Sequence, residues 1–151
     1  MSIYLSKAEC REEVKRHYVA KLGYILNDCP FIVPITYYFD KAENCILGYS
    51  VQGHKIEGMR KNTTVCMYID SITSVNNWKS ILIHGSFEEL SKVDSAFYLN
   101  RLGEGVRDLL NDTNYKETRA MEEFSNVKFP QGEPIVYRIN IWDITGRKRI
   151  E

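Results

Sequence analysis

The stretch from residue 22 to residue 50 constrains the fold most. Three short β-prone runs, 22–26, 31–39 and 45–50, are separated there by two polar turns, Asn27-Asp28-Cys29-Pro30 and Asp40-Lys41-Ala42-Glu43-Asn44. Parallel pairing needs a crossover of about a dozen residues or more, so links this short permit only antiparallel neighbours. Further on, residues 63–69 read as a strand, 70–77 as a polar turn, and 78–90 as a long strand bent near Gly85. The last strand is the clearest: Ile135, Tyr137, Ile139 and Ile141 alternate with Val136, Arg138, Asn140 and Trp142.

Helical spacing is confined to the spaces between these strands. Ser6 followed by Glu9 has the form of a capping box, which predicts a helix running to about Tyr18. A short helix is expected over 53–61, another over 93–110 despite Gly103 and Gly105, and a further one over 115–124 before a loop through Pro130 and Pro134. Six strands with few crossover helices predict a mainly β (α+β) fold, a six-stranded antiparallel β-barrel with flanking α-helices. At 151 residues the whole chain, 1–151, is expected to form one domain.

Charge and motif content narrow the function. Twenty basic and twenty acidic residues cancel, so no positive field argues for nucleic acid and no charge block for a membrane surface. The start, MSIYLSKAEC, lacks the pattern of a secretion signal, and no apolar run approaches the ~20 residues that cross a bilayer. Cys10, Cys29, Cys45 and Cys66 are irregularly spaced, which reads as reduced thiols in a cytoplasmic protein. No zinc spacing, serine-hydrolase elbow, dinucleotide glycine turn or Walker lysine is present. The adjacent carboxylates Glu12-Glu13, Glu88-Glu89 and Glu122-Glu123 read as solvated surface, because neighbours in sequence diverge on either a helix or a strand. Without a protein nucleophile or a metal, any chemistry is expected from a bound cofactor.

Three segments offer a place for one. Ser50-Val51-Gln52-Gly53-His54-Lys55 joins a strand to a helix, where free N–H groups, the Ser50 hydroxyl, the His54 ring and the Lys55 ammonium suit a phosphate dianion. The plain alternative is a capped helix with a surface lysine. Pro34 interrupts a good strand, so it marks either an edge strand or a pairing gap beside which a flat polar ligand can lie. Trp78, at the entrance of the long strand, is either core or a stacking surface.

In this order the segments resemble the pyridoxamine 5'-phosphate oxidase-like FMN-binding split barrels, in the branch of nitroimidazole-reductase-type flavoproteins. The matching features are a first helix, a strand with Val33-Pro34 near its middle, a strand ending in Tyr49-Ser50, and the Gly53-His54-Lys55 helix start. Met67-Tyr68-Ile69-Asp70, Trp78-Lys79-Ser80-Ile81 up to Gly85, and the closing Thr145-Gly146-Arg147 complete the pattern. The resemblance implies a split barrel and a homodimer with FMN at the subunit interface. Val33, Pro34, Ile35 and Thr36 would then lie along the flavin ring, Ser50, His54 and Lys55 would hold its phosphate, and Trp78 and Ser80 would contact it from the same or the partner subunit. It further implies an oxidoreductase passing electrons from a reduced donor to a small acceptor of nitro or quinone type. The alternatives are a non-catalytic flavin- or haem-binding module, with His84 as the haem candidate, and a deazaflavin (F420) relative. Tyr49 stands where nitroimidazole reductases commonly carry a histidine. The ending Gly146-Arg147-Lys148-Arg149-Ile150-Glu151 lacks the arginine- and tryptophan-containing segment of the oxidases that make pyridoxal phosphate. Tyr37, Tyr49 and His84 are the candidate acid–base side chains.

Overall fold

The computed structural model describes residues 1–112 and 135–151. Among them the chain forms eight strands and three helices: β1 (Ile3–Tyr4), α1 (Lys7–Arg16), β2 (Val19–Leu26), β3 (Cys29–Thr36), β4 (Tyr38–Asp40), β5 (Cys45–Ser50), α2 (His54–Lys61), β6 (Thr64–Ser74), β7 (Asn77–Glu89), α3 (Lys92–Asp112) and β8 (Ile135–Ile150). The expected helix over 115–124 and the loop through Pro130 and Pro134 lie outside the described residues. None of the helices is long and apolar enough to cross a membrane.

Local chemistry explains most of these boundaries. The capping box forms at the start of α1: the Ser6 hydroxyl accepts from the Glu9 N–H at 3.1 Å, and the Glu9 carboxylate accepts from the Ser6 N–H at 3.3 Å. Asn27 and Asp28 take left-handed φ values of 51° and 59°, the two-residue hairpin turn that matches strand twist. Cys29 and Pro30, expected in that turn, are therefore already in β3 and pair with Leu26 and Ile25. Asp40 closes the next turn by accepting from the backbone of Ala42 and Glu43 at 3.1 and 3.3 Å.

All ladder pairings are antiparallel, in the order β3-β2-β6-β7-β8-β5-β4, with β1 added on β8. The ends of this path do not pair, so the sheet is open, although β3 and β5 come into contact. The fold is thus a mainly β split barrel with helices, as expected, but with eight strands in place of six. Two differences account for the count. The short β1 carries no pattern of its own, and the single run expected over 31–39 breaks at Tyr37. That side chain turns fully inside, its hydroxyl donating to the Val14 carbonyl at 2.6 Å while its N–H donates to the Tyr18 carbonyl at 2.8 Å. The chain then leaves β2 and pairs with β5 as β4. A second correction concerns residues 70–77: β6 continues to Ser74, and the polar residues 70–74 belong to a projecting hairpin with β7.

The bend expected at Gly85 is a bulge between His84 and Gly85 in the β7–β8 ladder. A Cβ at Gly85 would stand 2.4 Å from the Asn140 carbonyl oxygen, so no other residue fits that crossing unshifted. The main core lies inside the curved sheet, where Leu22, Ile46, Met67, Ile83, Tyr137 and Ile139 meet Val14 of α1 and Ile56 and Met59 of α2. A second cluster forms outside it. There Leu102 and Val106 of α3 cover Tyr38 and Tyr49 on the outer side of β4 and β5. Gly105 permits this contact, since a Cβ there would stand 2.2 Å from the Tyr38 ring.

Candidate functional site

The join between β5 and α2 carries most of the predicted residues. Gly53 occupies the N-cap position with extended backbone and offers no side-chain cap, so the first N–H groups of α2 have no such acceptor. Ser50 is half-buried at the end of β5, its hydroxyl donating to the Val51 carbonyl at 2.8 Å. Lys55 is half-buried as well. It has neither ion pair nor hydrogen bond among the described residues, and burial alone pulls its ammonium below the ordinary lysine value. The surrounding loop is held from the far end of α2. Arg60 donates to both carboxylate oxygens of Glu89, at 2.9 and 2.6 Å, and to the Gln52 side-chain oxygen at 2.9 Å.

His54 is exposed, yet its ring is fixed. The Tyr24 hydroxyl lies 2.7 Å from its Nδ1, and the Phe31 ring meets it edge-on with centroids 4.6 Å apart. Tyr24 and Phe31 stack on each other at 5.6 Å. These contacts seat the start of α2 against the β2–β3 hairpin, just before the Pro34 segment. Tyr24 and Phe31 were not predicted from sequence. Both sit at ordinary core-facing positions, and only the fold brings them to His54, thirty positions from Tyr24 in sequence.

Among the described residues β3 pairs with β2 alone, so Pro34 lies in an edge strand of the described sheet. Pro34 stands opposite Lys21 and is exposed, Thr36 is half-buried opposite Val19, and Val33 and Ile35 turn toward the core. Seven of the nine predicted residues thus lie around one end of the sheet, where β3 and β5 approach.

Trp78 and Ser80 do not join them. They lie toward the β6–β7 tip, half-buried, with the Trp78 indole donating to the Val75 carbonyl at 3.1 Å and Ser80 paired with Asp70 and Arg147. The row Ile32–Gly23–Cys66–His84 crosses three strand spacings, and Ser80 is four residues further along β7. Strand spacings place it roughly 20 Å from Ile32.

Between the two groups lies an open sheet face. Pro34, Lys21, Tyr68, Leu82 and Thr145 form one cross-strand row, all exposed, and Ile32, Ile72 and Trp142 flank it at 75%, 64% and 61% exposure. His84 sits half-buried on this face with its ring 5.6 Å from that of Trp142. Of the other acid–base candidates, burial pushes the Tyr37 phenol far up and engages it with Val14, so it holds its proton. Tyr49 lies under α3.

Glu13 corrects the reading of the carboxylate pairs as solvated. It is 8% exposed and receives Lys79 at 3.0 Å and Arg16 at 3.2 Å, tying α1 to β7. Glu88 is half-buried and bonded to Arg138, which holds its carboxyl below the usual range; Glu122 and Glu123 lie outside the described residues. Asp40, Glu43 and Cys45 bring three ligand-type atoms within 4.8 Å. Arg101 and Arg138 already pair with the two carboxylates, at 3.3 and 3.4 Å, which compensates their charge without a cation.

Comparison with known proteins bears on this arrangement. The sequence model of the family described as pyridoxamine 5'-phosphate oxidase matches residues 6–148. An uncharacterised protein of Rhizobium meliloti strain 1021 is 36% identical over 86 residues, a stretch that spans 57% of this chain and 56% of that protein. Among solved structures, the chain is similar to a FAD-binding protein from Mesorhizobium loti, with a TM-score of 0.76 and 22% identity over 100% of this chain and 98% of that one. It is similar also to the FAD and haem binding protein from Mycobacterium smegmatis, with a TM-score of 0.69 and 13% identity over 97% and 72% of the two chains. At these identities the two structures speak for the fold.

Proposed function

The chain belongs to the pyridoxamine 5'-phosphate oxidase family, and from that premise we propose that it is a cytoplasmic flavoprotein that binds FMN between two copies of itself. The observation that carries this reading is Lys55. A half-buried ammonium without a carboxylate among the described residues, beside a helix start without a side-chain cap, is an arrangement that a phosphate dianion would complete. The Ser50 hydroxyl and the fixed His54 ring lie on the same short segment. FMN and FAD share ring and phosphate ester, and both solved relatives named above are described as binding FAD. The proposal takes FMN because its terminal dianion matches one lysine, one hydroxyl and one uncapped helix.

The flavin ring would lie along the free edge of β3, at Val33, Pro34, Ile35 and Thr36. Pro34 has no N–H to contribute there, so ring contacts would come from neighbouring backbone groups and from Thr36. A second copy supplies what one chain lacks. Trp78 and Ser80 lie toward the other end of the open face, and that face, exposed and in part apolar among the described residues, has the character of an interface. Bound FMN would accept electrons from a reduced donor and deliver them to a small acceptor, of nitro or quinone type. The protein's part is to hold the phosphate, orient the ring and exclude water.

Purified protein is expected to be yellow, with flavin absorbance released on heating; a Soret band without flavin would point to haem instead. Lys55→Ala combined with Ser50→Ala is expected to weaken FMN by about ten- to hundredfold, the range for charge-assisted hydrogen bonds, and to leave riboflavin binding unchanged. Equal losses for both ligands would overturn the phosphate assignment.

A further inference from the structure

We infer that Tyr24 is a positioning residue: its hydroxyl donates to His54 Nδ1, fixing the imidazole in the tautomer that presents an Nε2–H to an anion at the start of α2. The inference deepens the proposed phosphate site and rests on it for the identity of the anion.

The direction of the hydrogen bond follows from burial. Tyr24 is 4% exposed, and among the described residues the one polar contact of its hydroxyl is His54 Nδ1 at 2.7 Å. If His54 donated, the phenolic proton would have no acceptor among the described residues, and a phenol is the better donor while an imidazole nitrogen is the better acceptor. Burial also pushes the phenol pKa up, so the proton stays on Tyr24. Nδ1 therefore accepts. A neutral imidazole that accepts at one nitrogen carries its proton on the other, and Nε2 lies on the far side of the ring from Tyr24.

Phe31 prevents the ring from escaping this choice. It packs edge-on against the imidazole at 78° and stacks on Tyr24 at 19°, so the three rings form one unit. An exposed histidine held this firmly, next to a half-buried lysine without a partner among the described residues, has its orientation set before any ligand arrives. Lys55 supplies charge and His54 a directed donor. The Tyr24 hydroxyl sits behind that donor, on the opposite side of the imidazole.

The tautomer can be read directly by long-range ¹H–¹⁵N NMR on histidine-labelled wild-type protein, without flavin. The expected spectrum has Nδ1 unprotonated and Nε2 protonated at His54, and in Tyr24→Phe a mixture of both tautomers. An Nδ1–H tautomer in wild type, or no change in Tyr24→Phe, would overturn the inference. Fluorescence titration then reads the consequence. Tyr24→Phe and His54→Ala are each expected to weaken FMN by about five- to tenfold, with no added loss when they are combined and no change toward riboflavin. Additive losses in the double variant would overturn the positioning role. If wild type binds neither FMN nor riboflavin, the flavin proposal fails and the anion role fails with it, while the tautomer result stands on its own.

Discussion

One sheet in this molecule is treated in two ways on its outer side. Over β4 and β5 it is covered: α3 lays Leu102 and Val106 on Tyr38 and Tyr49, and Cys45, Ile46, Leu47 and Gly48 are buried on both faces. Over β2, β6 and β7 none of the described residues covers it, yet its outward residues remain in part apolar, with Ile32, Tyr68, Leu82 and Ile72 exposed. An antiparallel sheet that faces water on one side normally alternates apolar with polar residues. The covered half obeys its environment. The open half does not, and that mismatch is the physical argument for a second copy of the chain.

The comparison can be broken at several points. The largest stability effect belongs to the covered half: Leu102→Ala empties a fully buried site and is expected to cost about 2–5 kcal/mol in denaturant unfolding. A cost near zero would mean that α3 does not hold its place over β5. Gly105→Ala drives a methyl group into the Tyr38 ring, for which about 1–3 kcal/mol is expected.

Lys55→Met is expected to act in the opposite direction. In the ligand-free protein the half-buried charge is a burden, so its removal should raise Tm by about 2 °C, the equivalent of ~1 kcal/mol in a domain of this size. That gain should fade with rising pH. Because the folded-state pKa of Lys55 lies below its ordinary value of 10.5, the unfolded chain binds more protons between the two, and wild type gains stability across that window. A gain that widened toward pH 10.5 would contradict the burial of a charged Lys55.

Leu82→Asp should change the stability of the dissociated chain only modestly, by about 1 kcal/mol, because the side chain is 37% exposed and Asp is disfavoured in a central strand. The same substitution should abolish self-association in sedimentation. If Leu82→Asp leaves the oligomer intact, the open face is not the interface.

Features encoded over a few residues were legible in the sequence. The Ser6–Glu9 box, the turn at Asn27-Asp28, the helix start at Gly53 and the bulge at Gly85 all form where side-chain chemistry or glycine predicts them. Features set by distant partners were not. Glu13 is buried because Lys79, sixty-six positions away, reaches it. Residues 70–74 extend a strand because the backbone of β7 pairs with them, whatever their polarity. The candidate site divides in the same way. The Ser50–Lys55 segment is contiguous and could be read directly, whereas the Tyr24–His54–Phe31 unit exists only once β2 and β3 fold under α2. The placement of Ser80 three strands away from Ile32 is likewise a property of sheet geometry that no motif spacing contains.

The central claim is a flavin shared by two copies of this chain. Light scattering on wild-type protein with FMN added, read together with visible absorbance across the same elution peak, tests it most directly. The account predicts one species of twice the 17.6 kDa chain mass, carrying one flavin per chain. A flavin-bearing species of the single-chain mass, or a dimer that elutes without flavin, would contradict it.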